Sequence, residues 1–106
     1  DMFIVSAVNV FPSDVEAGIR SISGITGEYL IRIFEKDFTC KYSVEVAKKF
    51  DNKDSDEEVA ELVSKSLKAR IGVKPYTVVV HKDGGLNTRS EHKSKRVIDE
   101  RTQKPE

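Results

Sequence analysis

Two alternating stretches lie nearly back to back in this chain, and that pairing most limits what it can fold into. Glu28-Tyr29-Leu30-Ile31-Arg32-Ile33-Phe34-Glu35 reads as a strand. After a short Lys36-Asp37-Phe38 turn, Cys40, Tyr42, Val44 and Val46 alternate with Lys41, Ser43 and Glu45 through Ala47. A period of two puts successive side chains on opposite faces of a sheet, so one face is buried and the other is wet. The spacing predicts an antiparallel hairpin.

Around it the periods alternate. Met2 to Val10 is apolar with interruptions at Ser6 and Ala7, a strand with a weak point in its middle. Pro12 suits a first helical turn, and Ser13 with Glu16 makes a capping-box pattern ahead of Val15, Ile19 and Ile22. Gly24 and Gly27 end that helix. Ser55 with Glu58 repeats the capping box, and Asp56, Glu57 and Glu58 crowd the turn where the helix dipole favours anions. Val59, Leu62, Val63, Leu67 and Ile71 give the apolar stripe, and Gly72 stops it. Pro75 opens Tyr76-Thr77-Val78-Val79-Val80, a buried-type strand. Strand, helix, strand, strand, helix, strand in that order predicts an α+β, ferredoxin-like βαββαβ sandwich. Its four-stranded antiparallel sheet would carry two helices on one face. Residues 1–81 form this core, and 82–106 form a loop and tail without comparable pattern.

With 106 residues the chain is one domain. Its 18 basic and 18 acidic residues cancel, so charge gives no general argument for nucleic acid or an anionic membrane as partner. No apolar run approaches the roughly 20 residues of a membrane span. A lone Cys40 precludes an intrachain disulfide and fits a reducing, cytoplasmic setting. It sits on the inward phase of its strand and reads as core packing. His81 and His92 lack partners at ligand spacing, so no metal site is expected. The acidic run Asp51 to Glu58 fails as a calcium loop, because Val59 and Lys65 stand where glycine and glutamate are required. Nor do the strands offer the paired exposed aromatics of an RNA-binding sheet. The abrupt opening on Asp1-Met2-Phe3 suggests a piece of a longer chain. A stand-alone regulatory module, pairing sheets in a homodimer around a small molecule, stays open from the residues alone.

Leu86 to Arg96 carries Lys93 in a polar, basic setting after Gly84-Gly85. A lysine there can serve as a point charge toward phosphate or carboxylate, or simply solubilise a tail.

Val8-Asn9-Val10-Phe11-Pro12-Ser13-Asp14-Val15-Glu16 closely resembles the opening of the small carboxyl-terminal domain of phenylacetate–coenzyme A ligases, R-G-V-N-V-F-P-S-x-I-E. Arg89-Ser90-Glu91-His92-Lys93-Ser94-Lys95-Arg96-Val97-Ile98-Asp99 resembles that family's closing motif, P-R-S-E-G-K-x-x-R-V-x-D. The span between the two motifs suits the domain, so the resemblance covers nearly the whole chain. The resemblance implies an adenylate-forming ligase that converts phenylacetate, ATP and CoA to phenylacetyl-CoA, AMP and diphosphate. A related enzyme adenylating another substrate, such as a deazaflavin cofactor, is the alternative within the superfamily. The implied partners are an amino-terminal nucleotide-binding domain and a small carboxylic acid. ATP, Mg2+ and CoA are used by the full-length enzyme, with none held tightly by this piece. The piece also lacks a phosphate-cradling glycine loop, so alone it should catalyse nothing. By resemblance Lys93 enters the site for adenylation, while Arg89 and Arg96 anchor its loop. Ser6, Ala7, Val8 and Asn9 would face the pantetheine channel when the domain turns for thioester formation. Ser6-Ala7 replaces the family's Arg-Gly pair, and His92 replaces the glycine before the lysine.

Overall fold

A computed structural model describes residues 2–86 and 96–101. The long hairpin forms as its alternation requires. Strand β3 (Ile25–Lys36) pairs antiparallel with β4 (Thr39–Lys48), from Lys36 opposite Thr39 to Tyr29 opposite Val46. Tyr29, Ile31, Ile33, Tyr42, Val44 and Val46 point to one face and are buried. Cys40 is half-buried and packs against this core.

Two expectations about the sheet are corrected. The first apolar segment is not a strand of the main sheet. It folds on itself as β1 (Phe3–Val5) and β2 (Val8–Val10), a separate two-stranded antiparallel sheet. The weak point at Ser6 and Ala7 is the hairpin turn. The main sheet has the order β5-β4-β3-β6 and is mixed, where an antiparallel sheet was expected. Strand β5 (Val78–His81) runs parallel to β4, and β6 (Val97–Asp99) runs parallel to β3. The fourth strand therefore comes from beyond residue 81, where the sequence pattern gave only loop and tail. A three-residue strand is too short to display a period.

Helices α1 (Pro12–Arg20) and α2 (Asp56–Ile71) cover the buried face together with the small hairpin. Helix α2 has the expected capping box: Glu58 N donates to Ser55 Oγ at 3.0 Å, and Ser55 N donates to Glu58 Oε1 at 2.9 Å. Gly72 ends it at φ 106°, in the left-handed region that glycine reaches without strain. The capping box expected at α1 does not form. Pro12, with φ already set for a helix, occupies its first position, so Phe11 is the cap and Ser13 lies inside. Glu16 pairs instead with Arg20, at 3.1 Å. Leu62 also leaves its expected stripe. Val59, Val63 and Leu67 are buried, whereas Leu62 stands on the flank of the helix, half exposed. The helices approach closely at Gly18, where a Cβ would lie 2.8 Å from Leu67 Cδ2.

Candidate functional site

The β1–β2 turn is strained. Ser6 and Ala7 adopt φ of 51° and 66°, the pair of left-handed residues that a two-residue hairpin needs and that Asn-Gly normally supplies. Both side chains are exposed, as is Asn9. Val8 is half-buried and packs against the core.

Beside the turn lies a cavity of about 210 Å3, walled by Val5 and Ser6 on one side and by the segment Val73–Tyr76 on the other. Several bonds fix that second wall. The Tyr42 hydroxyl donates to the Val73 carbonyl at 2.8 Å, and Tyr76 N donates to the Tyr42 carbonyl at 2.7 Å. Thr77 gives its amide and hydroxyl to Ser43 Oγ. The Tyr42 ring is buried, with Phe3 edge-on at 5.9 Å, and burial pushes its phenol well above the usual tyrosine value. It serves as a structural post, neutral at any physiological pH. Lys41 and Lys74 also line the cavity.

The segment that contains Lys93 leaves and rejoins the fold elsewhere. Lys93 and Arg89, like His92, lie outside the described residues. The flanking positions are described. His81 ends β5 opposite Ala47, and Arg96 leads into β6, its carbonyl accepting from Ile31 N at 2.7 Å. The Arg96 guanidinium sits over the Tyr29 ring, 5.1 Å from its centroid. From Lys41, at the cavity, to Ala47, beside His81, the distance along β4 is about 20 Å. The fold thus sets the His81 stem of the Lys93 segment at the end of the sheet away from the Ser6-Ala7 turn, while Arg96 enters β6 about midway along it, level with Ile31 and Val44. Arg96 and residues 6–9 are not brought together.

Between the two ends, the uncovered face of the sheet carries a chain of charged groups that the sequence did not reveal. Arg32 Nε donates to Glu45 Oε2 at 3.0 Å, and its Nη1 donates to Glu100 Oε2 at 2.7 Å. Glu45 Oε1 lies 2.8 Å from His81 Nε2. One residue from β5, β4 and β3, with Glu100 just past β6, ties all four strands. Burial alone would push the Glu45 carboxyl up, but its bonds to Arg32 and His81 outweigh that and hold it below its ordinary value. Beyond β6, Asp99 and Arg101 form a bidentate pair at 2.9 and 2.6 Å, which holds Asp99 below the usual range. Among the described residues no cluster of three or more His, Cys, Asp or Glu could hold a metal, and no helix is long and apolar enough to cross a membrane.

Known proteins share this architecture. A domain of phenylacetate-coenzyme A ligase from Bacteroides vulgatus is 26% identical, with 96% of this chain and 94% of that one aligned at a TM-score of 0.78. A 2-hydroxyisobutyryl-CoA ligase, solved with 2-HIB-AMP and CoA in the thioesterification state, is 25% identical at a TM-score of 0.79. There 95% of this chain covers only 21% of the ligase, so the chain spans about a fifth of that protein. McyG A-PCP complexed with phenylalanyl-adenylate shares the fold at 15% identity and a TM-score of 0.64, over 74% of this chain and 15% of that one. No curated protein matches the sequence significantly. The family model for the AMP-binding enzyme C-terminal domain matches residues 7–101, nearly the entire chain. The chain belongs to that family, the carboxyl-terminal domains of adenylate-forming enzymes.

Proposed function

We propose that this chain is the swinging carboxyl-terminal domain of an ATP-dependent acid–CoA ligase whose acid is phenylacetate. The observation that carries the reading is the match of the AMP-binding enzyme C-terminal domain model to residues 7–101, joined by the distance between the Ser6-Ala7 turn and His81, the stem that leads toward Lys93. A domain that carries two functional segments apart from one another can present only one of them at a time to a neighbouring active site. A two-step reaction needs that property, because adenylation and thioester formation demand different groups around the same carbonyl.

In the first step, Lys93 bridges the acid carboxylate and the α-phosphate and offsets negative charge as the acyl-adenylate forms and diphosphate leaves. ATP and Mg2+ belong to the amino-terminal domain. In the second step the domain has turned, and the Ser6-Ala7 turn with Asn9 flanks the pantetheine arm while the CoA thiol displaces AMP. Arg89 and Arg96 fix the ends of the lysine-bearing segment. Similarity to the Bacteroides vulgatus ligase domain supports phenylacetate as the acid. The comparable similarity to a 2-hydroxyisobutyryl-CoA ligase makes a short hydroxy acid the competitor.

The test uses the full-length ligase. Lys93→Ala is expected to slow adenylation by at least a hundredfold, since one preorganised charge of this kind is worth about 3–4 kcal/mol. Thioester formation from supplied acyl-adenylate should stay near the unmodified rate. Equal losses in both half-reactions, or none in either, would remove the proposed role of Lys93. Diphosphate release with a panel of aryl and hydroxy acids identifies the substrate, and a preference for an acid other than phenylacetate overturns that choice.

A further inference from the structure

The two stems of the Lys93 segment are rooted on opposite edges of the main sheet. Strand β5 lies at one edge and β6 at the other, with β4 and β3 between them. Three strand spacings put those edges about 14 Å apart. Both strands are short, four residues and three, and among the described residues each pairs with a single neighbour. Backbone pairing therefore ties each edge to the hairpin and not to the other edge.

The chain from His81 through Glu45 and Arg32 to Glu100 makes that connection, and the register is arranged for it. Arg32 stands opposite Ser43 and His81 opposite Ala47, so the two partners of Glu45 lie two residues behind it and two ahead of it along β4. Ser43 and Ala47 are small and buried, which leaves room for the longer side chains to lean across. Directly beside Glu45 stand Leu30 and Val79, whose side chains offer its carboxylate no hydrogen bond. The diagonals are what remain. An ionised carboxylate only accepts, so His81 carries a proton on Nε2, 2.8 Å away. Arg32 holds Glu45 and Glu100 through two nitrogens of one rigid plane, at 3.0 and 2.7 Å. Partly exposed pairs of this kind add little stability. What they supply is a fixed offset between β5 and β6.

We propose that His81, Glu45 and Arg32 are positioning residues for Lys93, setting the two stems of its segment at the spacing that adenylation requires. The inference rests on the reading that Lys93 serves adenylation. None of the three touches the reacting atoms. They act through the strands that carry the lysine in and out, and a misplacement of about 1 Å at a reacting group can cost on the order of a hundredfold in rate.

Two measurements test this. In the full-length ligase, His81→Leu removes the first link at a partly exposed strand end and leaves the core intact. It should lower kcat for adenylation about tenfold and leave the KM values for ATP and the acid within about twofold, because Lys93 acts in the transition state. Thioester formation from supplied acyl-adenylate should stay unchanged. His81→Gln, whose amide nitrogen reaches the place of Nε2, should restore most of the rate. In a Lys93→Ala background, His81→Leu should cause no further loss. An unchanged kcat in His81→Leu overturns the proposal, as does a loss shared by both half-reactions, no recovery with glutamine, or a full additional loss in the Lys93→Ala background. The second measurement needs no activity. In this chain the Arg32 Nε–H and Glu100 amide resonances should shift in His81→Leu and return in His81→Gln, and resonances that stay in place overturn the link itself. If Lys93→Ala leaves adenylation intact, the assignment of Lys93 fails by itself, and the resonances still decide whether the chain couples the two edges.

Discussion

Ala7 shows how much a single residue can conceal. In the sequence it is a small side chain where the family has glycine, which adds a methyl beside the proposed pantetheine channel. The structure gives a backbone reason as well. At φ 66° an L-residue with a Cβ loses about 1–2 kcal/mol, and glycine does not. Glycine gives back roughly half of that gain through the freedom of the unfolded chain. Because the Ala7 methyl is exposed, its removal costs no packing. Ala7→Gly is therefore expected to stabilise the chain by about 0.5–1 kcal/mol, read as a higher urea midpoint at unchanged slope. An unchanged or lower midpoint would mean that the turn bears no strain at this position. Asp37 and Phe38 make the same kind of turn between β3 and β4, at φ 54° and 67°, with Phe38 fully exposed.

At the level of elements, the charged chain across the sheet does what period-two patterning cannot. Alternation marks Arg32 and Glu45 as facing away from the core, but it does not say that they meet. Their meeting depends on register: Arg32 stands opposite Ser43, which puts its side chain diagonal to Glu45, and β5 runs alongside with His81 by Ala47. Since the folded Glu45 carboxyl lies below its ordinary 4.5, it contributes stability above that pH and loses it as pH falls through the folded value. Glu45→Gln should lower stability at pH 7 by about 0.5–1 kcal/mol, a figure reduced for solvent screening. It should also make the fall in stability as pH drops below the ordinary carboxylate value of 4.5 shallower. Denaturant curves at a series of pH values check both, and parallel pH profiles for the two proteins would exclude the linkage. The failed capping box at α1 belongs to this scale too. Ser13 and Glu16 have the right types and spacing, but Pro12 starts the helix one residue sooner and leaves Ser13 with no cap to make.

For the molecule as a whole, the unexpected strand matters most. β6 closes the sheet beside β3, with Arg96 bonded to Ile31 on entry and Glu100 N donating to the Ile33 carbonyl at 2.6 Å on exit. The lysine-bearing segment is thereby tethered at both ends, by β5 before it and β6 after it. A chain ended at Leu86 would expose the β3 edge and lose the Arg32–Glu100 pair. It is expected to melt lower by on the order of 10 °C and to self-associate through the open edge. Calorimetry and light scattering check these, and an unaltered melting temperature would show that β6 contributes nothing to the fold.

The sequence by itself determined the β3–β4 hairpin, the two helices and their order, because each is written as a local period of 2 or 3.6; the stop of α1 is the exception, since that helix ends at Arg20, ahead of Gly24, and Gly27 lies inside β3. It also held the motifs that point to the family. Tertiary structure alone decided three things. Whether Phe3–Val10 would join the main sheet or fold back depended on Ser6 and Ala7 adopting left-handed φ, which neither residue type announces. Which strand would lie beside β3 depended on three residues too short to carry a pattern. And Lys36 and Lys41, near one another on the β3–β4 hairpin, gained Lys74 and Tyr76 as neighbours only when the parallel pairing of β4 with β5 brought the start of one strand beside the other. Local periodicity fixes what an element is. Which elements become neighbours is set by long-range burial and register, and the candidate sites lie at those junctions.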